Sequence, residues 1–368
     1  MALRQSLSVV FGYAILAAAL PVGGNGSATK CRDIRIPVTV EVPRFLISTR
    51  IQDDWDAVAL SFNLTQRNSP SAITGTTAPV KSIYDVGATF CGNGSTTLIL
   101  THGILESKSY WQPDFPEAEK YDFVSAAVNA GYSVLSYDRI GVGSSSKIDS
   151  LMDAQFQVHT AVLNALIERE RSQRPENKIA LVGHSYGAYL SAATAALSDQ
   201  IDGVVLMGFG GSFKYFGPFV AGSGLRIAKF RDEERWGTLD AGWLTTVDKY
   251  ADTYIYFGLP GDFEHRAAEW THARASEPFG IGEIPSLTST AIEFGDIETP
   301  VLLLQGRYDL SACGGDCVGE LEAWKGNLTG SPAVEVVEDL PAGHNINLHL
   351  VAPKAFSIMF DFLKRNGL

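Results

Sequence analysis

The 368-residue sequence predicts an α/β fold, a mostly parallel central sheet flanked by helices with an inserted, mainly helical cap. Three observations predict it. From about residue 97, short apolar runs alternate with helix-length amphipathic stretches, the pattern of parallel strands joined by crossover helices. That rhythm breaks between about Phe213 and Phe294, where aromatic residues crowd together. Gly183-His184-Ser185-Tyr186-Gly187 sits between an apolar run and a helical one, the setting of a sharp strand-to-helix turn.

Residues 1–28 look like a secretory signal. Arg4 supplies a positive start, and Leu7 to Leu20 is a nearly unbroken apolar stretch that tails into small residues, with Gly24 or Ala28 as the final residue. The run is shorter than a bilayer core requires, and no basic cluster follows it, so a membrane anchor is disfavoured. Ile36 to Val42 and Tyr84 to Cys91 read as leading antiparallel strands. The alternating series is then strand Thr97–Thr101, helix Asp122–Ala130, strand Tyr132–Tyr137 and helix Met152–Arg169. It continues with strand Ile179–Val182, helix Ala188–Leu197 and strands Gly203–Met207, Val301–Leu304 and Val334–Val337. An amphipathic helix, Pro353–Arg365, closes it.

The core is therefore assigned to residues 29–212 and 296–368, and the cap to 213–295. The cap carries Phe216, Phe219, Trp236, Trp243, Tyr250, Tyr254, Tyr256 and Trp270. It reads as several short helices with no clear strand, a lid lining an apolar pocket whose aromatics mostly form its own core.

Composition narrows the setting. With 45% hydrophobic and 19% charged residues the chain is an ordinary globular protein. Its formal charge of -12 argues against nucleic acid and anionic membrane as partners, because phosphate surfaces would repel it. An extracellular, secreted destination fits the acceptor triplets for N-glycosylation at Asn25, Asn63, Asn93 and Asn327, although Asn25 would leave with a signal cleaved after Ala28. Cys31, Cys91, Cys313 and Cys317 allow three disulfide pairings. Gly314 and Gly315 let Cys313 and Cys317 close a tight loop, which leaves Cys31 with Cys91. Zinc ligation is discounted because no second closely spaced cysteine pair accompanies them.

The chemistry is read from the turn at Ser185. A serine hydroxyl lifted clear of a tight turn needs small neighbours, which Gly183 and Gly187 provide. The hydroxyl is a weak nucleophile at neutral pH, so it needs a base, and the base needs an orienting group. His344 follows the run Val334–Leu340 in a loop able to reach back over the sheet, whereas His349 sits at the lip of the final helix and is read as packing or capping. Asp309 directly follows the strand Val301–Leu304 and is preferred as the acid to Asp316, which lies inside the Cys313–Cys317 loop. Backbone N–H groups of Ile104 and Tyr186 are the candidate oxyanion donors, with His102 and Gly103 shaping the turn. His102 is read as a structural hydrogen-bonding group rather than a second base.

Together these residues resemble a secreted serine hydrolase of the α/β-hydrolase superfamily. The resemblance rests on His102-Gly103, Asp138-Arg139-Ile140-Gly141-Val142-Gly143-Ser144, the turn at Ser185, and Asp309 and His344 in the family's order of nucleophile, acid and histidine. It covers about residues 90–212 and 296–368, and it implies that Asp138 and the glycines after it hold a loop in shape. Gly141 and Gly143 are not a dinucleotide fingerprint, since Ser145 and Ser146 stand where the third glycine would be and no helix opens there. The chain departs from branches with a triple-glycine oxyanion loop, and from capped epoxide hydrolases and dehalogenases, which resemble it but carry aspartate at the elbow.

The resulting expectation is an enzyme that hydrolyses carboxylic esters of small, fairly apolar substrates through an acyl-enzyme, with catalytic residues Ser185, Asp309 and His344. It needs no cofactor or metal and makes no stable membrane insertion; nothing in the sequence sets an oligomeric state. The same triad also suits a lactonase, a peptidase or a biosynthetic tailoring enzyme. A non-catalytic secreted binding scaffold is the alternative of another class.

Overall fold

The computed structural model describes residues 31–68 and 70–368. The signal-like stretch and Asn25 lie outside the described residues. The main sheet has eight strands: β1 (Cys31–Val42), β2 (Val80–Cys91), β3 (Thr96–Thr101), β4 (Ser133–Tyr137), β5 (Lys178–His184), β6 (Gly203–Met207), β7 (Val301–Gly306) and β8 (Val334–Leu340). Their order across the sheet is β1-β2-β4-β3-β5-β6-β7-β8. Every pair from β4 onward is parallel, and the β1–β2 and β2–β4 pairs are antiparallel. Strands covered on both faces should be apolar throughout, and every residue of β3, β4, β6 and β7 is buried.

Five helices of seven residues or more complete the frame outside the cap: α1 (Asp54–Thr65), α2 (Phe123–Asn129), α3 (Phe156–Gln173), α4 (Tyr186–Leu197) and, after the cap, the final helix Ala352–Arg365. The crossover from β3 to β4 moves one way across the sheet, and those from β4 to β5 and from β5 to β6 move the other. Right-handed crossovers therefore put α2 on one face and α3 and α4 on the opposite one. Contacts agree, with α3 against α4 and α2 against the final helix. The strand order reverses between β3 and β5, so the crevice beyond their carboxyl ends is the natural binding position.

Two regions differ from expectation. Residues 43–79 hold α1 and two short antiparallel strands, Phe45–Ile47 and Ile73–Thr76, where no element was expected. Asp53 caps α1 by accepting from the Trp55 and Asp56 N–H groups. The helix is hard to recognise because Trp55, Val58 and Phe62 are exposed, which blurs its apolar face. Between Met207 and Val301 the chain leaves the sheet and forms mainly short helices, but it also holds a three-stranded sheet of Phe279–Gly280, Trp243–Thr245 and Arg226–Ile227. Strands of two or three residues carry too few side chains to show alternation.

Helix α3 starts at Phe156 rather than Met152. Gln155 is held extended because its side-chain amide pairs with both backbone groups of Phe45, and Asp149 caps the preceding turn through the Leu151 and Met152 N–H groups.

Both expected disulfides are formed, Cys31–Cys91 and Cys313–Cys317. Cys31 and Cys91 are directly opposed at one end of the β1–β2 ladder. Among the described residues no helix is long and apolar enough to cross a membrane.

Candidate active site

Ser185 stands where β5 ends and α4 begins, with φ 56° and ψ −122°. A non-glycine residue in that region carries a conformational cost of about 1–3 kcal/mol, and such strain persists only where the surroundings impose it. The surroundings here are tight. A Cβ on Gly183 would lie 2.3 Å from the Gly187 carbonyl oxygen, and one on Gly187 would lie 2.2 Å from the Thr101 carbonyl oxygen. Both glycines are thus required by close backbone approach. Gly103 is packed as closely, since a Cβ there would meet the Ser185 Cβ at 2.8 Å.

Asp309 follows β7 and caps a short helical turn, Leu310–Cys313, by accepting from the Ala312 N–H. Its Oδ2 lies 2.6 Å from His344 Nδ1 and also accepts from Gln305 Nε2. Ser311 Oγ bridges the same pair, 2.9 Å from Asp309 Oδ1 and 3.0 Å from His344 Nδ1. Burial opposes the charged form of Asp309, but the His344 charge and hydrogen bond, with the Ala312 and Ser311 donors, prevail and hold its carboxyl at about 2. Burial likewise opposes a charged His344, yet the carboxylate of Asp309, its hydrogen bond and the more distant Glu106 raise the imidazole above its usual value.

Because Nδ1 faces a carboxylate, it carries the proton, and the neutral ring presents a lone pair at Nε2. That Nε2 is buried and has no hydrogen-bond partner. The bond from Ser185 Oγ to Nε2 that proton abstraction requires is therefore not closed in this arrangement. Catalytic hydrogen bonds commonly tighten only when substrate binds. Ser185 and Ser311 nevertheless line one cavity of about 40 Å³, together with Ile104, Tyr186, Phe213, Phe216 and Phe219. Phe219 and Tyr256 bring the cap against the His344 ring, with centroids 6.4 and 6.1 Å away.

Ile104 and Tyr186 both border the Ser185 cavity. Tyr186 is the first residue of α4, so its N–H has no acceptor within the helix. The Ile104 carbonyl accepts from the Tyr256 hydroxyl, a contact from the cap that fixes this turn. His102 bonds the Gly103 carbonyl through Nδ1 and accepts the Arg139 N–H at Nε2. Burial and the nearby Arg139 charge push it well below its usual range, so it stays neutral as a structural group.

Asp138 accepts from Ser144 and from the Lys108 N–H, holding its loop as the resemblance implied. His349 bonds the Asn345 carbonyl and accepts the Gly258 and Gly343 N–H groups, which ties down the loop bearing His344. Burial first, against the Asn345 hydrogen bond, lowers it to about 4. Asp316 lies outside the site, in an exposed pair with Arg307.

Four features of the site went unread in the sequence. They are Ser311 and Gln305 around Asp309, the buried contact of Glu106 with His184, and the buried ion pair of Arg139 with Glu283. Glu106 follows one recognised motif and His184 lies within another, yet they are 78 residues apart and nothing local marks them as partners.

Solved structures share this fold. An esterase from Exiguobacterium antarcticum superposes with a TM-score of 0.55 at 15% identity, covering 76% of this chain and 96% of its own. A bromoperoxidase from Bacillus anthracis gives 0.52 at 20% identity, covering 77% and 96%. A lipase in an open form gives 0.53 at 14% identity, covering 77% and 95%. No curated protein matches the chain in sequence. A family profile does, over residues 98–357, and the chain belongs to the alpha/beta hydrolase family.

Proposed function

We propose that the protein is a secreted serine hydrolase that cleaves carboxylic esters of small, fairly apolar substrates through an acyl-enzyme. The observation that carries this reading is the 2.6 Å contact of His344 Nδ1 with Asp309, which leaves Nε2 unpartnered, while Ser311, bonded to the same Nδ1, lines one cavity with Ser185. Ser185 Oγ attacks the ester carbonyl carbon as its proton passes to His344 Nε2. The oxyanion of the tetrahedral intermediate accepts from the Ile104 and Tyr186 N–H groups, each such donor contributing about 2.7–4 kcal/mol. Collapse breaks the carbon–oxygen bond to the alcohol, and His344 returns the proton to the departing alkoxide. Water, deprotonated by His344, then attacks the acyl-enzyme and frees Ser185 and the carboxylic acid.

Secretion belongs to the same proposal. It is supported by the signal-like residues 1–28, by two disulfides of a kind that persists outside reducing compartments, and by acceptors Asn63, Asn93 and Asn327, all exposed.

The test is a substrate panel of p-nitrophenyl esters, lactones and aminoacyl amides, run with wild type and Ser185→Ala. The proposal expects esters to turn over fastest and Ser185→Ala to lose that activity. Preference for lactones or amides would transfer the same triad to another substrate class. Undiminished turnover by Ser185→Ala would end the assignment.

A further inference from the structure

The turn that offers the Ile104 N–H is gripped from the cap. Leu105, the next residue, has φ 60°, a left-handed conformation that residues other than glycine adopt only where their surroundings impose it. The peptide before Leu105 is held by the Tyr256 hydroxyl, which donates to the Ile104 carbonyl at 2.8 Å. The peptide after it is held by the Ser276 hydroxyl and the Glu277 N–H, which donate to the Leu105 carbonyl at 3.3 and 3.4 Å. The Ser107 hydroxyl reaches the other way and donates to the Ala275 carbonyl at 3.0 Å. Cap residues thus fix both peptide planes that define the Leu105 dihedrals.

Tyr256 makes the shortest of these bonds and is 1% exposed. Its backbone carbonyl accepts the Asn345 N–H at 2.9 Å, and its ring lies nearly parallel to that of His344, at 18°. One cap residue is therefore bonded to the oxyanion turn and packed against the base. It does not line the Ser185 cavity, so it acts through Ile104 rather than on substrate.

We propose that Tyr256 is a positioning residue for the oxyanion donor: its hydroxyl holds the strained Ile104–Leu105 turn in the conformation that presents the Ile104 N–H to the Ser185 cavity. The inference rests on the ester-hydrolase reading and deepens it, because the cap becomes part of the oxyanion apparatus as well as a cover.

Tyr256→Phe removes the hydroxyl and keeps the ring against His344. We expect kcat on p-nitrophenyl butyrate to fall about tenfold, less than the hundredfold or more that outright loss of a donor brings. KM should stay within about twofold, and the ascending limb of the pH profile should stay in place, since the Asp309–His344 pair is untouched. Ser276→Ala should show the same pattern more weakly, because the Glu277 N–H still holds the Leu105 carbonyl. It carries the same measurements if Tyr256→Phe does not fold.

A tetrahedral mimic supplies the readout that a merely structural role would not move. Ser185 Oγ adds to the carbonyl carbon of an alkyl trifluoromethyl ketone, its proton passes to His344, and the carbonyl oxygen becomes the oxyanion. The Ki of this ketone should rise in Tyr256→Phe by the factor by which kcat/KM falls. Unchanged kcat and Ki, an effect confined to KM, or a displaced pH limb would overturn the assignment. Hydrogen exchange needs no turnover: a peptide spanning residues 102–107 should exchange several-fold faster in Tyr256→Phe, with one spanning β7 unchanged. Faster exchange at the turn of a protein that cleaves no ester and binds no ketone would defeat the ester-hydrolase reading and leave the tether standing. Unchanged exchange would overturn the tether whatever the enzyme's activity.

Discussion

Glu106 Oε2 lies 2.9 Å from His184 Nδ1 and 2.7 Å from the Gly103 N–H, so one carboxylate oxygen ties the turn after β3 to the residue preceding Ser185. His184 Nε2 in turn sits 3.0 Å from the His344 carbonyl oxygen, which can only accept, so Nε2 carries a proton. The oxyanion turn, the nucleophile and the base loop are thus joined by one buried chain of hydrogen bonds.

Glu106→Gln should weaken that chain, because it replaces the carboxylate oxygen between the Gly103 N–H and His184 Nδ1 with an uncharged amide atom. Losing a hydrogen bond to a charged group costs about 1.5–3 kcal/mol, so kcat should fall about ten- to a hundredfold. The pH profile separates positioning from general destabilisation. Glu106 helps to raise His344, so its neutralisation should move the ascending limb of kcat/KM to lower pH. An unmoved limb with unchanged kcat would contradict the coupling.

Wild-type activity should itself report the raised His344. Only the neutral imidazole accepts the Ser185 proton, so kcat/KM should climb as pH rises through the folded value, with a midpoint above the ordinary histidine value of about 6.5. Asp309, at about 2, stays charged throughout that window. Linkage gives the opposite trend for stability. The contribution of a histidine raised on folding is complete below about 6.5 and is lost as pH rises through the folded value. Melting temperature should therefore decline over the same window in which activity appears. A limb centred below the ordinary value would contradict the Asp309–His344 geometry.

Arg139 and Glu283 form a 2.6 Å ion pair with both side chains 1% exposed, joining the loop after β4 to the cap. Arg139 also donates to the Gly103 carbonyl and lies over the Tyr186 ring at 4.7 Å. Removing one partner leaves an unpaired buried charge, so Arg139→Met or Glu283→Leu should each cost about 3–5 kcal/mol in urea unfolding. The double variant should recover much of that loss. Single variants costing under about 1 kcal/mol would show that the pair is not buried as described.

The two disulfides should separate stability from activity. Cys31 and Cys91 are 60 residues apart and Cys313 and Cys317 only 4, so chain entropy assigns them about 4 and about 2 kcal/mol respectively. The short loop, however, holds the acid, because the Gly315 N–H bonds the Asp309 carbonyl and the Cys317 N–H bonds that of Arg307. Replacing Cys313 and Cys317 with serine should lower kcat with a small change in melting temperature. The same change at Cys31 and Cys91 should mainly lower melting temperature. The reverse pattern would contradict these roles.

Much of this architecture was legible because the central strands are covered on both faces. Gly203–Met207 has the bounds its apolar run suggests, and Thr97–Thr101 extends by one residue. Ser185 and Asp309 follow such strands and His344 follows the half-buried edge strand β8, so their positions at the carboxyl ends of the sheet could be read. The unread parts depend on tertiary partners. Gln155 is extended because of Phe45, and Glu106 and Glu283 are buried because of His184 and Arg139. A polar residue's sequence neighbours carry no record of a partner on another strand or in the cap. Ser311 is the exception in distance, two residues from Asp309, but serine is too common near turns to mark itself.

The most direct measurement is mass spectrometry of the protein after reaction with an alkyl fluorophosphonate. A single phosphonyl adduct is expected on Ser185, absent from Ser185→Ala and formed far more slowly in His344→Ala. An adduct on another serine, or folded protein that takes up no label, would contradict Ser185 as the nucleophile.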